Sequence, residues 1–140
     1  MTNILSKIPE RFFKVRYDQS HDGRSEDLPP MAESANCQNF AYEILGSFGF
    51  VVPRLRSSNL WADTTYTVVV EGEPQPLDLL LFNRTEASWG AHVAVCIGEG
   101  QAIHLSKRVG SPAILPIPHF AERPEYRVLV GVKRPFVHNS

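Results

Sequence analysis

The chain has 140 residues with a formal net charge of -1, 43% of them hydrophobic and 21% charged, the composition of a globular chain long enough to bury a core. That balance, with no Lys/Arg run, excludes a broad basic face, so no nucleic-acid partner is expected. Its two cysteines, Cys37 and Cys96, make no disulfide framework, and neither a signal-peptide core before Lys7 and Pro9 nor a membrane-spanning stretch is present.

The expectation is therefore a cytoplasmic protein with free thiols, a single domain over 1–140, with no membrane insertion and no obligate protein partner. Export by a dedicated secretion system stays open. Residues 1–33 read as a polar N-terminal arm, with a short helix over Pro9–Lys14 and a loop from Asp18 to Pro30. From Ser34 the apolar positions Phe40, Ala41, Ile44, Leu45 and Phe48 recur at helical spacing. Ser34 is the expected N-cap and Gly49 the expected left-handed C-cap. After Pro53 the pattern is β. Strands are expected over Thr65–Val70, Leu77–Phe82, His92–Ile97, Gln101–Ser106 and Tyr126–Lys133, with Pro-broken 109–118 as an edge or loop. In the last strand Val128, Val130 and Val132 fall on one side. One helix followed by an antiparallel sheet is an α+β fold.

Cys37 falls in the first turn of that helix, on the side of Phe40 and Ala41. Unpaired backbone N–H groups and the helix dipole favour negative charge there, as a thiolate nucleophile needs. The same N–H groups suit the oxyanion of a tetrahedral intermediate. Taken alone, Cys37 reads sooner as a packed core thiol than as a nucleophile, and either histidine sooner as a half-buried imidazole bonded to a carbonyl. The combination points to chemistry. In His92–Ile97 the residues alternate, with His92, Ala94 and Cys96 on one face. If Gly98-Glu99-Gly100 is a three-residue loop, Ile97 pairs with Gln101 and His104 lies opposite Ala94. His92 and His104 are then diagonal neighbours on one face, whereas a two-residue loop separates them. With both rings together, His92 acts as general base for Cys37 and His104 hydrogen-bonds its other nitrogen, fixing the tautomer.

Four blocks in order resemble the NlpC/P60 branch of papain-like cysteine peptidases. Asn36-Cys37-Gln38-Asn39-Phe40-Ala41-Tyr42 is similar to the nucleophile helix and Phe50-Val51-Val52-Pro53-Arg54 to the segment closing it. Leu77–Phe82 is similar to the family's Pro-Gly-Asp-Leu strand, and His92–His104 to its base, hairpin and third polar residue. The resemblance implies a papain-like α+β domain, with the nucleophile helix packed on an antiparallel sheet, and a cysteine amidase or peptidase without cofactor. Many relatives cleave bacterial cell-wall peptides. The family's Asp-Cys-Ser-Gly is replaced here, and its upstream Tyr-x-Trp-Gly-Gly segment is missing, with Tyr17 the only upstream tyrosine. The usual γ-D-glutamyl specificity is therefore not carried over.

The site expectation is Cys37, His92 and His104 as catalytic residues, with Tyr17, Asn36, Arg54 and Trp89 on the substrate side and no metal. The substrate is a peptide-like or other small amide. Thioester hydrolysis or acyl transfer through the same acyl-Cys, and a catalytically silent binding domain, are the alternatives. A zinc site from Cys37, Cys96, His92 and His104 has suitable ligand types but no paired-ligand spacing. Trp61 is expected in a loop, Arg54, Arg56 and Ser57-Ser58-Asn59 as either a pocket lining or a solvated loop, and Asp78 as a turn cap.

Overall fold

The computed structural model describes residues 3–17, 34–35, 37–106 and 110–139. The helix α1 spans Cys37–Ser47 and a second, α2, spans Ser57–Ala62. Strands are β1 Arg16–Tyr17, β2 Ser34–Ala35, β3 Thr67–Val70, β4 Leu79–Asn83, β5 His92–Gly98, β6 Gln101–Leu105, β7 Pro112–Pro116 and β8 Val128–Pro135. β1 and β2 pair in parallel, while β3 to β8 form one antiparallel sheet in the order β3-β8-β4-β5-β6-β7. This is the α+β architecture expected.

The helix starts at Cys37 rather than behind a Ser34 cap, because Ser34 is engaged in β2 beside Arg16. Its other end is as expected. Gly49 has φ +89°, its N–H donates to the Gly46 carbonyl at 3.0 Å, and the Phe50 N–H donates to Leu45 at 3.1 Å. That 5→2 and 6→1 pair is a Schellman cap, which a residue lacking Cβ adopts without steric cost.

Alternation along the strands divides the buried residues between the two faces of the sheet. On one face Leu79, Leu81, Val93, Val95, Ile97, Ile103 and Leu105 pack with Phe40, Ile44 and Leu45 of α1. The expected polar arm joins this core over its described part: Ile4, Ile8, Phe12 and Val15 are buried there, and Phe12 meets Phe40 edge-on at 6.1 Å. Glu10–Lys14 forms the expected short helix as a 3-10 turn, and the Asp18–Pro30 loop lies outside the described residues. On the other face Leu80, Phe82, Ala94, Cys96 and Ala102 pack with Phe120 and Tyr126 from two 3-10 turns, Ile117–Glu122 and Pro124–Tyr126.

Three local readings are corrected. Ser57–Ala62 is helical, not a solvated loop, with Ser57 and Leu60 buried, and Trp61 belongs to that helix. A Cβ on Gly131 of β8 would lie 2.2 Å from Trp61 Cη2, so the indole rests directly on the strand backbone. Val130 and Val132 pack into opposite clusters. The cause is an irregularity in the β4–β8 register, where Leu81 faces Gly131 but Phe82 faces Leu129, shifting the alternation by one residue.

Asp78 anchors the start of β4. It accepts the Gln75 N–H at 2.8 Å, the expected turn role, and also holds Arg134 through two bonds of 2.8 Å each. That bidentate geometry ties β4 to β8.

Candidate active site

The β5–β6 hairpin sets the site. Its turn has two residues, Glu99 (φ +56°) and Gly100 (φ +73°), the type I′ signature, between Gly98 and Gln101. Alone, that turn would place the two histidines on opposite faces. The register shifts between Cys96 and Gly98, however, which restores Cys96 opposite Ala102 and Val95 opposite Ile103. Continued along the strands, this is the expected register, reached by a shorter turn plus a bulge. The bulged segment also tethers the N-terminal segment, since the Ile97 carbonyl accepts the Ile4 N–H at 2.8 Å.

His92 and His104 consequently meet. Their rings are 5.0 Å apart and nearly perpendicular, with His92 Nε2 2.8 Å from His104 Nδ1. His92 Nδ1 is left as the other ring nitrogen. For that atom to accept a proton, His92 Nε2 must donate to His104 Nδ1. His104 is fully buried, and its Nε2 has no hydrogen-bond partner among the described residues.

Cys37 reaches the sheet where the β5–β6 ladder stops. The Cys96 N–H donates to Asp78 in the β4 direction, so by alternation the odd residues of β5 direct their N–H groups towards β6. The β5–β6 pairing ends at Val95 and Ile103, which leaves the Val93 N–H outside the ladder. The thiol of Cys37 takes that N–H, together with those of Gln38 and of Cys37 itself. The sulfur therefore sits in a cluster of backbone donors beside the residue that follows His92.

The electrostatics correct the expectation of a resting thiolate. Burial pushes the Cys37 thiol up to about 11, and the N–H groups of Val93, Gln38 and Cys37 only partly offset this. Burial also pushes His92 well below the usual histidine range, and repulsion between its charged form and those of His104 and Arg123 adds to the effect. His104 is pushed down to about 4 by burial and then by Arg123. A low-dielectric site disfavours every charged form, and here it pushes the thiol and both imidazoles towards their neutral forms.

The substrate-side candidates separate. The Tyr17 backbone pairs with Ala35, two residues before the thiol. Asn36 lies outside the described residues. Arg54 pairs with Glu43 at 3.5 Å, six residues beyond Cys37 along α1. Trp89 is 73% exposed, three residues before His92. Its loop is pinned by Asn83 Nδ2, which donates to the carbonyls of Ala87 at 2.9 Å and Trp89 at 3.0 Å. Cys96 is buried on the second face, and no group of three or more His, Cys, Asp or Glu among the described residues is arranged to hold a metal ion.

Sequence reasoning missed Tyr126 and Phe120. Tyr126 stacks on His92 at 4.4 Å and 22°, and Phe120 meets His104 at 4.7 Å. The only advance signal was two aromatic residues among Pro116, Pro118 and Pro124, in a segment with neither helical nor strand period.

No protein-family model matches the chain, and no curated protein matches it in sequence. Solved structures do match. An NlpC/P60 family protein from Bacillus cereus ATCC 10987 is 26% identical with a TM-score of 0.55, over 79% of this chain and 36% of that one. NlpC1 from Trichomonas vaginalis is 15% identical with a TM-score of 0.63, over 93% and 42%. The NlpC/p60 domain of the peptidoglycan hydrolase SagA is 17% identical with a TM-score of 0.51, over 96% and 97%. The match thus spans less than half the length of the first two proteins and nearly all of the third. The chain has an NlpC/P60-type fold.

Proposed function

We propose, with the NlpC/P60-type fold as premise, that the chain is a cysteine amidase or peptidase in which Cys37 is the nucleophile, His92 the general base and His104 its orienting partner. The observation that carries this reading is the 2.8 Å bond between His92 Nε2 and His104 Nδ1. It commits one nitrogen of His92 to another residue and leaves Nδ1 for proton transfer, beside a strand whose next N–H meets the Cys37 sulfur.

The chemistry follows from neutral partners. As the sulfur attacks the substrate's carbonyl carbon, the S–H proton passes to His92 Nδ1 and the carbonyl π-electrons move to oxygen. The resulting oxyanion needs donors in a site that favours no charge, and the N–H groups around the sulfur are of the right kind. Collapse expels the amine, which takes the proton from His92 and leaves a thioester on Cys37. Water, deprotonated by the same His92 nitrogen, attacks the thioester and releases the acid and the thiol. Acyl transfer to another nucleophile would use the same intermediate. The exposed Trp89, three residues before His92, is a wall for a peptide-like substrate, and Tyr17 lies on the approach to the helix start.

The substrate class is tested by incubating the protein with peptidoglycan fragments and with amide and thioester peptide libraries, reading products and Cys37-bound acyl groups by mass spectrometry. Turnover with an acyl-Cys37 species, both lost in a folded Cys37→Ala variant, supports the reading. Absence of any Cys37-dependent product across these substrates, in a protein whose thiol is free, contradicts it in favour of a binding domain that kept the fold.

A further inference from the structure

The two 3-10 turns between β7 and β8 place a ring on each imidazole. Tyr126 is 7% exposed, nearly parallel to His92 at 4.4 Å, and edge-on to His104 at 6.0 Å. Its own position is held from several sides. Its N–H donates to the Arg123 carbonyl at 3.0 Å, and its hydroxyl hydrogen-bonds Ser106. Phe120, 6.1 Å from it, stacks on Phe82 of β4 at 4.4 Å and 5°. The ring on His92 is thus fixed to β4 and to the end of β6.

An imidazole works as a base only while the correct nitrogen faces the proton. Rotation of the His92 ring by half a turn would put Cδ2 in the place of Nδ1 and Cε1 in the place of Nε2, and so break the bond to His104. That bond resists the rotation at one atom, whereas a parallel ring resists it over the whole imidazole face. Once the proton has arrived, the same ring offers its π-face to the imidazolium.

We propose that Tyr126 is a positioning residue for His92: the stacked ring, rather than the hydroxyl, keeps His92 Nδ1 available to Cys37. The inference rests on the proposed role of His92 as base. Two variants separate its parts, because Tyr126→Phe keeps the ring and Tyr126→Leu removes it. The readouts are iodoacetamide labelling of native Cys37 as a function of pH and the ring resonances of isotope-labelled histidine.

In the parent protein the His92 ring protons are expected upfield of free histidine through the ring current of Tyr126. Tyr126→Leu abolishes that shift and slows Cys37 labelling at neutral pH by about tenfold, while Tyr126→Phe stays within about twofold of the parent. An unshifted His92 in the parent overturns the inference, whether or not Tyr126→Leu folds. So does a Tyr126→Leu protein that labels like the parent when His92→Ala does not. If His92→Ala itself labels like the parent, the base role fails, and the inference with it.

Discussion

The two faces of the central sheet are built from different materials. The face under α1 is almost wholly aliphatic, with Val93, Val95, Ile97, Ile103 and Leu105 packed on Phe40, Ile44 and Leu45. The opposite face carries His92 and His104 among Phe82, Phe120 and Tyr126. Successive residues of β5 serve both, so one strand holds the core with its odd positions and the His92 imidazole with an even one, as β6 does with His104. The comparison teaches that stability and chemistry are separated across the sheet while sharing a backbone. Cys37 joins them, because it starts the helix that covers the first face and its sulfur reaches the strand backbone at Val93.

Breaking the aliphatic face should have the largest effect on stability. Phe40 is fully buried, and Phe40→Ala is expected to cost about 3–5 kcal/mol in denaturant unfolding. Titrating the imidazole face comes next. His104 is held at about 4 in the folded protein, against an unfolded value of about 6.5. Its folded value is depressed, so between those values the unfolded state binds more protons. Stability from this group is full above about pH 6.5 and is lost as pH falls towards 4, with a slope approaching about 1.4 kcal/mol per pH unit. His92 shifts in the same direction. Thermal unfolding across this window should show the loss, and His104→Gln should flatten it.

Gly131→Ala probes the sheet away from both histidines. Its methyl group would strike Trp61, and an overpacking cost of about 1–3 kcal/mol is expected with the histidine resonances unmoved. The smallest effect is expected from Asn83→Ala, which frees residues 84–90 of three side-chain bonds, two donated to the Ala87 and Trp89 carbonyls and one accepted from the Arg84 N–H. A loss of about 1 kcal/mol or less in unfolding should accompany a larger increase in amide exchange over residues 84–90.

Much of the first face and of the imidazole pairing was legible in the sequence. The apolar spacing of Phe40, Ala41, Ile44 and Leu45 marked α1, and Gly49 marked its end. The alternation from His92 to Ile97 put His92 with Cys96 and away from Val93. The register of the histidines was legible although the loop length was not, because a bulge leaves no signature beyond the glycines beside it. What escaped depends on contacts distant in sequence. Nothing local in Val128–Pro135 says that it runs between β3 and β4. Ser57–Ala62 is too short to display a helical period. Phe120 and Tyr126 acquire their roles only when the chain from β7 returns over the second face. The thiol's charge state was misjudged because the first-turn donors are visible in sequence, whereas the burial that outweighs them is not.

The most direct test of the central claim is labelling of native Cys37 across pH 5 to 11, with Cys96 as internal control and His92→Ala alongside. The account requires Cys37 to label while buried Cys96 does not, with an apparent pKa above that of a free thiol. It also requires His92→Ala to slow labelling near pH 7 by at least about tenfold. Labelling of Cys37 no faster than Cys96, or indifferent to His92, would contradict the account and leave Cys37 as a packing residue of α1.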